Sequence, residues 1–421
     1  VSETRSRAAA AVVIWIILIA SVTAWRKGVY FEGDLDGVVL AKGILQGVAL
    51  GMALLLQRAH VTALPVAGGP LLAVLAVLAI SLVGAIHSGS FAASAVLAVR
   101  IVLLIVTVVL LVSVFPREAV LLQLTIAAGI VGGVLVVSGL GTVAGGGRLE
   151  GTIIPVSPNG LVVLCALPAL AAIHRVVSRR ATPGAVVAAL FYTLACVATQ
   201  SRTALLGLAV AIVILVLGAS TIQRWVAFVM IVSVPAIFVV AIRTSFFESL
   251  LNREGSPSDL TLNSRTIAWE VVLQTPVESL QKWVGAGLSV KTVRVQGQYW
   301  NEQVLDSSWV SALAQTGLIG TAVLAVVVTT VLVVNLRGGR RNALPVAVLV
   351  FLLIRTFLET GLLDASVTFL VFVALASTFV PARHRQPERH EPPWGTTAGQ
   401  VQSRTGPTRR VSDGTRSNAA I

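Results

Sequence analysis

Charge is scarce in this chain. Lysine, arginine, aspartate and glutamate make up 12% of its 421 residues, where soluble domains carry about 25%. The shortage excludes an ordinary water-soluble domain, and a mean hydropathy of +0.90 points the same way. Cysteine is nearly missing. Cys165 and Cys196 both lie inside apolar runs, so they offer neither a disulfide framework nor a metal-ligand spacing and read as small buried hydrophobes. Of the five histidines only His87, in "HSGSF", falls in a predicted outer loop, with no partner pattern around it. No Walker loop, H-E-x-x-H pair or G-x-S-x-G elbow occurs, which removes support for ATP-driven transport and for ordinary hydrolase schemes.

Apolar sequence is what the chain has in abundance, at 56% of residues. Runs of about 17–25 apolar residues recur, each long enough to cross a bilayer core. The expected fold is an all-α integral membrane protein with about 12 transmembrane helices, over residues 8–24, 38–56, 65–86, 91–115, 119–140, 158–174, 184–199, 202–220, 225–243, 309–335, 343–358 and 362–381. Residues 1–243 then hold helices 1–9, residues 244–308 a large extracytoplasmic cap loop, and residues 309–381 helices 10–12. The first run, "AAAAVVIWIILIASVTA", reads as a retained helix rather than a cleaved signal peptide.

The net charge is +13, but the basic residues gather in short loops and in the tail. That is the pattern of orientation signals, not of a nucleic-acid groove, and no nucleic-acid partner is expected. With the N-terminus inside, "QRAH", "PRE", "HRVVSRRATPG", "TIQR" and "NLRGGRRN" are inner connections, while "RKGVYFEGDLDG", "HSGS", "GTVAGGGRLEGTIIPVSPN" and "ETGLLD" are outer. The reading is a multi-pass protein of the plasma (inner) membrane with both termini cytoplasmic. The tail over 382–421 is rich in Pro, Gly, Ser, Thr and Arg; it is expected to be disordered, with arginines close enough to touch anionic membrane lipids.

This alternation bears on "ATQSRTALLG". A single helix over 184–220 would put "HRVVSRR" and "TIQR" in opposite compartments, so a tight outer turn is expected at "TQSR". Arg202 then sits at the outer surface, where the charge bias disfavours it. It is either a snorkelling arginine at the headgroups or a functional charge at a membrane helix end.

The cap loop contains "NSRTIAWEVVLQTPVESLQKW", which reads as a helix capped by Asn263 or Ser264, with Ile267, Trp269, Val271, Val272 and Leu273 on an apolar flank. Pro276 is expected to bend or end it, and Gly285 and Gly287 permit tight backbone geometry after it. Arg202 and Arg265 suit a diphosphate, because a guanidinium is permanently charged and its donor fork grips oxygens in pairs; Arg265 also fits an ordinary solvated helix charge. Asp306, just before the tenth helix, is placed either to accept a proton from a sugar hydroxyl or to cap that helix. Arg355 and Glu359, four apart, can pair on one helix face, and with Asp364 they can stabilise the bundle or line a polar pocket. Asp34 and Asp36 have a D-x-D spacing that can take a divalent metal, although acidic residues are ordinary in an outer loop.

Four segments in order resemble the superfamily of O-antigen ligases and O-antigen polymerases, polytopic membrane glycosyltransferases. They are "SRTALLGL", the long late outer loop, "SRTIAWEVVLQTP" followed by "GAGL", and "LDSSWVSALAQTGLIG", together covering roughly residues 195–325. The resemblance implies a GT-C type enzyme that needs no metal, cofactor or nucleotide sugar. It would move glycan from a polyprenyl-diphosphate-linked donor to an acceptor hydroxyl on a glycan or lipid at the outer face. By the same resemblance Arg202 and Arg265 match the arginines that hold the donor diphosphate, and Asp306 stands at the acceptor-site position. Ligases of the family typically carry His-Asn where this chain has Asp306-Ser307, a difference that fits polymerase-like or diverged members and leaves the acceptor open. The rival class is a secondary transporter or flippase of the cell envelope, which the helix count suits but the long outer segment and the lack of paired halves do not.

Overall fold

A computed structural model describes residues 2–25, 37–58, 66–178, 181–219, 267–295 and 302–378. The helices there are α1 (Ser2–Val22), α2 (Gly37–Arg58), α3 (Gly68–His87), α4 (Phe91–Val114), α5 (Arg117–Ser138), the short α6 (Leu140–Ala144), α7 (Pro158–Val177), α8 (Pro183–Ala198), α9 (Arg202–Gly218), the short α10 (Leu280–Val284), α11 (Ser308–Arg337), α12 (Ala343–Thr356) and α13 (Val367–Ser377). Seven of them, α1–α5, α7 and α11, are long and apolar enough to cross a membrane, while α8, α9 and α13 are apolar but shorter. Eleven of the twelve expected helices coincide with these elements. The ninth, over 225–243, lies outside the described residues, as do Asp34, Asp36, Arg265, the proposed caps Asn263 and Ser264, and the tail.

The core is a helical bundle around α7, which packs against α5, α8, α9 and α12. Its largest fully buried side chains include Trp15, Phe351, Phe369 and Phe372. Such a bundle closes by packing, since lipid removes most of the hydrophobic drive between helices. Helix α9 leaves the turn after α8 to pack on α12, while α8 stays against α7, so the pair is joined tightly without lying side by side.

The segment after residue 266 departs from the expectation of an all-helical chain. Residues 267–273 are helical and stop before Pro276. Their buried face is Ala268 and Val272, which join Leu305 and Ala314 in a small separate core; Val271 and Leu273, expected on the packed flank, are exposed. Two short strands follow, β1 (Thr292–Arg294) and β2 (Glu302–Val304), antiparallel with Thr292 opposite Val304 and Arg294 opposite Glu302. Their Thr and Val residues suit a pleated backbone.

Helix α11 is broken where Gly317 takes a left-handed φ of 64°. The break releases the carbonyls of Ala314 and Gln315 from the helical ladder, and a buried carbonyl needs a new donor. Ala286 N–H donates to Ala314 O at 2.9 Å and Gly287 N–H to Gln315 O at 3.1 Å, while Ser81 Oγ adds a second bond to Gln315 O at 2.8 Å. Gly285, at φ 80°, makes this approach possible: a Cβ there would overlap the main chain at Gln315 and Thr316. The "GAG" loop and the first glycine of "GLIG" are thus two sides of one contact.

Helix ends predicted to share a side meet in pairs. At one end Arg117 Nη1 donates to Asn342 Oδ1 at 2.9 Å, and Ala67 N–H donates to Ser377 O at 3.2 Å. At the other, Ser88 and Ser90 donate to Ala286 O at 2.7 and 2.9 Å.

Candidate functional site

Arg202 opens α9 on an exposed position. The turn before it is strained. Gln200 holds a φ of 50°, the only positive φ at a non-glycine among the described residues, in a region that costs about 1–2 kcal/mol for such a residue. Such strain persists only where neighbours over-determine it, and here they do. Thr199 is fully buried with its hydroxyl on Cys196 O, Leu149 N–H donates to Ala198 O at 2.9 Å, and Arg148 Nε donates to Thr199 O at 2.9 Å. Ser201, the N-cap, makes no side-chain cap bond, so the first-turn amides of α9 keep their partial positive charge beside Arg202.

Arg148 leads on to α7. Its Nη2 donates to Asn159 Oδ1 at 3.3 Å, and Asn159 Nδ2 donates to Glu359 Oε1 at 2.5 Å. Asn159 is held in the first turn of α7, where Ser157 caps Gly160 N–H and Pro158 fills the first helical position. Arg355, 3% exposed, donates from Nη2 to Asn159 O at 2.6 Å and from Nη1 to Thr368 Oγ1 at 3.3 Å. Arg355 and Glu359 therefore do meet, though not as neighbours on one helix face. Helix α12 ends at Thr356, so the four-residue helical spacing does not apply at Glu359, and Asn159 joins the two.

The same cluster reaches Asp306. Ser308, first in α11, donates to Glu359 O from both Oγ (2.7 Å) and N–H (3.1 Å). On the other flank Leu305 N–H donates to Lys291 O at 3.0 Å. Asp306 is pinned between these anchors. It is not the cap of α11, because Ser307 occupies that position. Asp364 is engaged in an ion pair with Lys291, which ties the last turn to the start of β1. Helix α13 begins only at Val367, where Ser366 accepts from Phe369 N–H, leaving room for the turn that carries Glu359 and Asp364.

Of the predicted site residues, then, Arg355 and Glu359 are joined through Asn159, Asp306 and Arg202 are linked to them through short hydrogen-bonded segments, and Asp364 is tied to Lys291. Arg265 lies outside the described residues. The sequence reading missed Arg148, Asn159 and Lys291. For the two cations a signal existed: each is a basic residue on the side that the charge bias leaves poor in them, as Arg202 is. Asn159 in "SPN" reads only as part of a helix start. Among the described residues no group of three His, Cys, Asp or Glu side chains is placed to hold a metal ion. A cavity of about 80 Å³ lies between Val272, Thr275, Lys282, Val293 and Leu313, and none of the predicted site residues among the described residues lines it.

Residues 187–325 match the family described as O-Antigen ligase (Wzy_C). The matched segment includes the strained turn, Arg202, Arg265, the "GAG" contact, Asp306 and the break in α11. No curated protein matches the chain. With multiple apolar helices, the match supports a membrane transferase that ligates or polymerises glycan, in general terms. Residues 187–325 are thus similar to the O-antigen ligase family, and the match supports the superfamily of O-antigen ligases and polymerases.

Proposed function

We propose that this protein transfers glycan from a polyprenyl-diphosphate donor to an acceptor hydroxyl at the outer face of the plasma membrane. The observation that carries the reading is the hydrogen-bonded join, inside the family-matched segment and its immediate contacts, between the turn that presents Arg202 and the segment that presents Asp306. Helices α8 and α9, of 16 and 17 residues, span about 24 and 26 Å at 1.5 Å per residue. That is less than the ~30 Å hydrocarbon core, so the turn between them lies near the membrane boundary, where a lipid-linked diphosphate resides.

In the proposed step the acceptor oxygen attacks the anomeric carbon of the donor sugar, and its proton passes to the Asp306 carboxylate. The bond from that carbon to the diphosphate oxygen breaks, and polyprenyl diphosphate leaves with the electron pair. Arg202, Arg265 and the first-turn amides of α9 counter the charge that builds on the leaving group, the kind of fixed electrostatic stabilisation that contributes most to such transfers. The basic loops at the opposite end of the bundle support an outward-facing site.

The test uses the purified protein in liposomes with a labelled polyprenyl-diphosphate oligosaccharide. Release of polyprenyl diphosphate with a ladder of product lengths identifies a polymerase, and a single addition to a supplied acceptor identifies a ligase. Substrate crossing the bilayer with its glycosidic bond intact would overturn the reading in favour of a carrier.

A further inference from the structure

Resting on the glycan-transfer reading, we infer that Asn159 is a positioning residue that sets the Arg202 turn and the Asp306 segment in register. Its side chain is the junction of two branches. One runs from Oδ1 through Arg148 to the carbonyl of Thr199, three residues before Arg202. The other runs from Nδ2 through the Glu359 carboxylate to the turn whose carbonyl holds Ser308, two residues after Asp306. Leu362 N–H donates to Ser308 Oγ at 3.3 Å and closes this second branch on the same turn. The main chain of Asn159 is fixed in turn by Arg355, and its helix is the most enclosed of the membrane-crossing set.

The chemistry of the junction calls for a group that both accepts and donates, as the Asn159 amide does. A guanidinium only donates and a carboxylate only accepts, so the group between Arg148 and Glu359 must accept on one side and donate on the other. The two neighbours also dictate which way the amide faces. Aspartate would keep the bond from Arg148 but set a second carboxylate against Glu359. Leucine would keep neither bond. The two branches lead to the two halves of the proposed chemistry, leaving-group binding and proton acceptance, so the substitutions separate them.

The experiment uses the full chain in lipid nanodiscs, with polyprenyl diphosphate as the binding probe and the labelled polyprenyl-diphosphate oligosaccharide for turnover. For Asn159→Asp the Kd for polyprenyl diphosphate is expected to stay within about threefold of wild type while kcat falls at least about tenfold, the scale of one hydrogen bond to a charged group. Arg148→Met is expected to weaken the Kd about tenfold, and to add little in an Asn159→Leu background, because the two act through one chain of contacts. A role confined to stability would lower Tm and move both constants together. A wild-type kcat in Asn159→Asp, or an unchanged Kd in a folded Arg148→Met, overturns the inference. Spin labels at Leu206 and Glu302, both exposed, give a readout without substrate: Asn159→Leu is expected to broaden a distance distribution that is narrow in wild type, and an unchanged distribution overturns the register claim. Should wild type itself neither bind the probe nor turn over, the transferase reading fails, while the spin-label distances still decide whether Asn159 sets the register.

Discussion

Gln46 in α2 and Asn159 in α7 carry the same amide group in different surroundings. Gln46 is fully buried, and neither its oxygen nor its nitrogen has a hydrogen-bond partner among the described residues. Asn159 has a charged group on each side of its amide. The contrast extends to the regions around them. Away from the site end, several hydroxyls in α1, α4 and the residue after α1 turn back on the nearby main chain: Ser21 bonds Leu18 O, Thr23 Ile19 O, Thr107 Leu103 O and Ser113 Leu110 O, each three or four residues away. At the site end the partners are remote in sequence, as in Asn159 with Glu359, Arg355 with Asn159, or Ser81 with Gln315 O. The first region needs only apolar helices of sufficient length, and locally satisfied hydroxyls leave helices free to pack by shape. The second is assembled from loops and helix ends, and its geometry depends on bonds that no single helix can supply.

The comparison is tested most severely at Arg202. If the site end carries the chemistry, Arg202→Ala in a correctly inserted protein is expected to lower turnover about 10²–10³-fold, the cost of removing a preorganised electrostatic contact to a developing charge, with weaker binding of polyprenyl diphosphate. Unchanged release of polyprenyl diphosphate would assign Arg202 to the headgroups instead. The next largest effect belongs to Gly317→Val. The new side chain would meet the main chain at Trp283 and Val284 and require a left-handed φ, and each of those alone costs about 1–3 kcal/mol. Thermal unfolding in detergent should show Tm well below wild type, and a Tm within a degree of wild type would mean that the "GAG" contact does not stabilise the fold.

How much of this was legible in the sequence follows the same division. The helices of α1–α5 could be read from length and hydropathy, because nothing but an apolar run of that size is needed there. The turn at "TQSR" could be read from charge alternation, and Pro276 and Gly285 from their backbone chemistry. The strands were missed, since three-residue pairings carry almost no periodicity. The packed flank of residues 267–273 was misjudged because an apolar run offers several helical faces, and only tertiary contact selects Ala268 and Val272. Asn159 was invisible for a plainer reason: its partners lie at residues 148, 355 and 359, and "SPN" announces a cap with no hint of either charge.

A smaller effect separates charge from shape at Arg355. Its fork reaches Asn159 O and Thr368 Oγ1 at once, which a lysine keeps in charge but not in geometry. Arg355→Lys is expected to cost about 1–2 kcal/mol of stability, measured as a lower Tm. No change would mean that charge alone suffices there and that Asn159 is held by its helix.

The smallest effect has the opposite sign and returns to Gln46. Inside lipid-embedded protein, a polar group that gains no partner loses the water it had and receives nothing in exchange. Gln46→Leu removes both amide atoms, unpartnered among the described residues, while keeping a side chain of similar size in α2, which packs against α1 and α4. We expect a gain of about 1 kcal/mol, within the range for relieving one unsatisfied amide, and turnover equal to wild type, because among the described residues Gln46 shares no hydrogen bond with the site end. The measurement is Tm in detergent together with polyprenyl diphosphate release in liposomes. A lower Tm would show that Gln46 finds a partner in the membrane and that α1–α5 is held by more than length and shape. Asn159→Leu, which removes the amide at the start of α7, is expected to move both readouts down, and it is this difference in sign between two amides that separates a polar group left over in a bundle from one that organises a site.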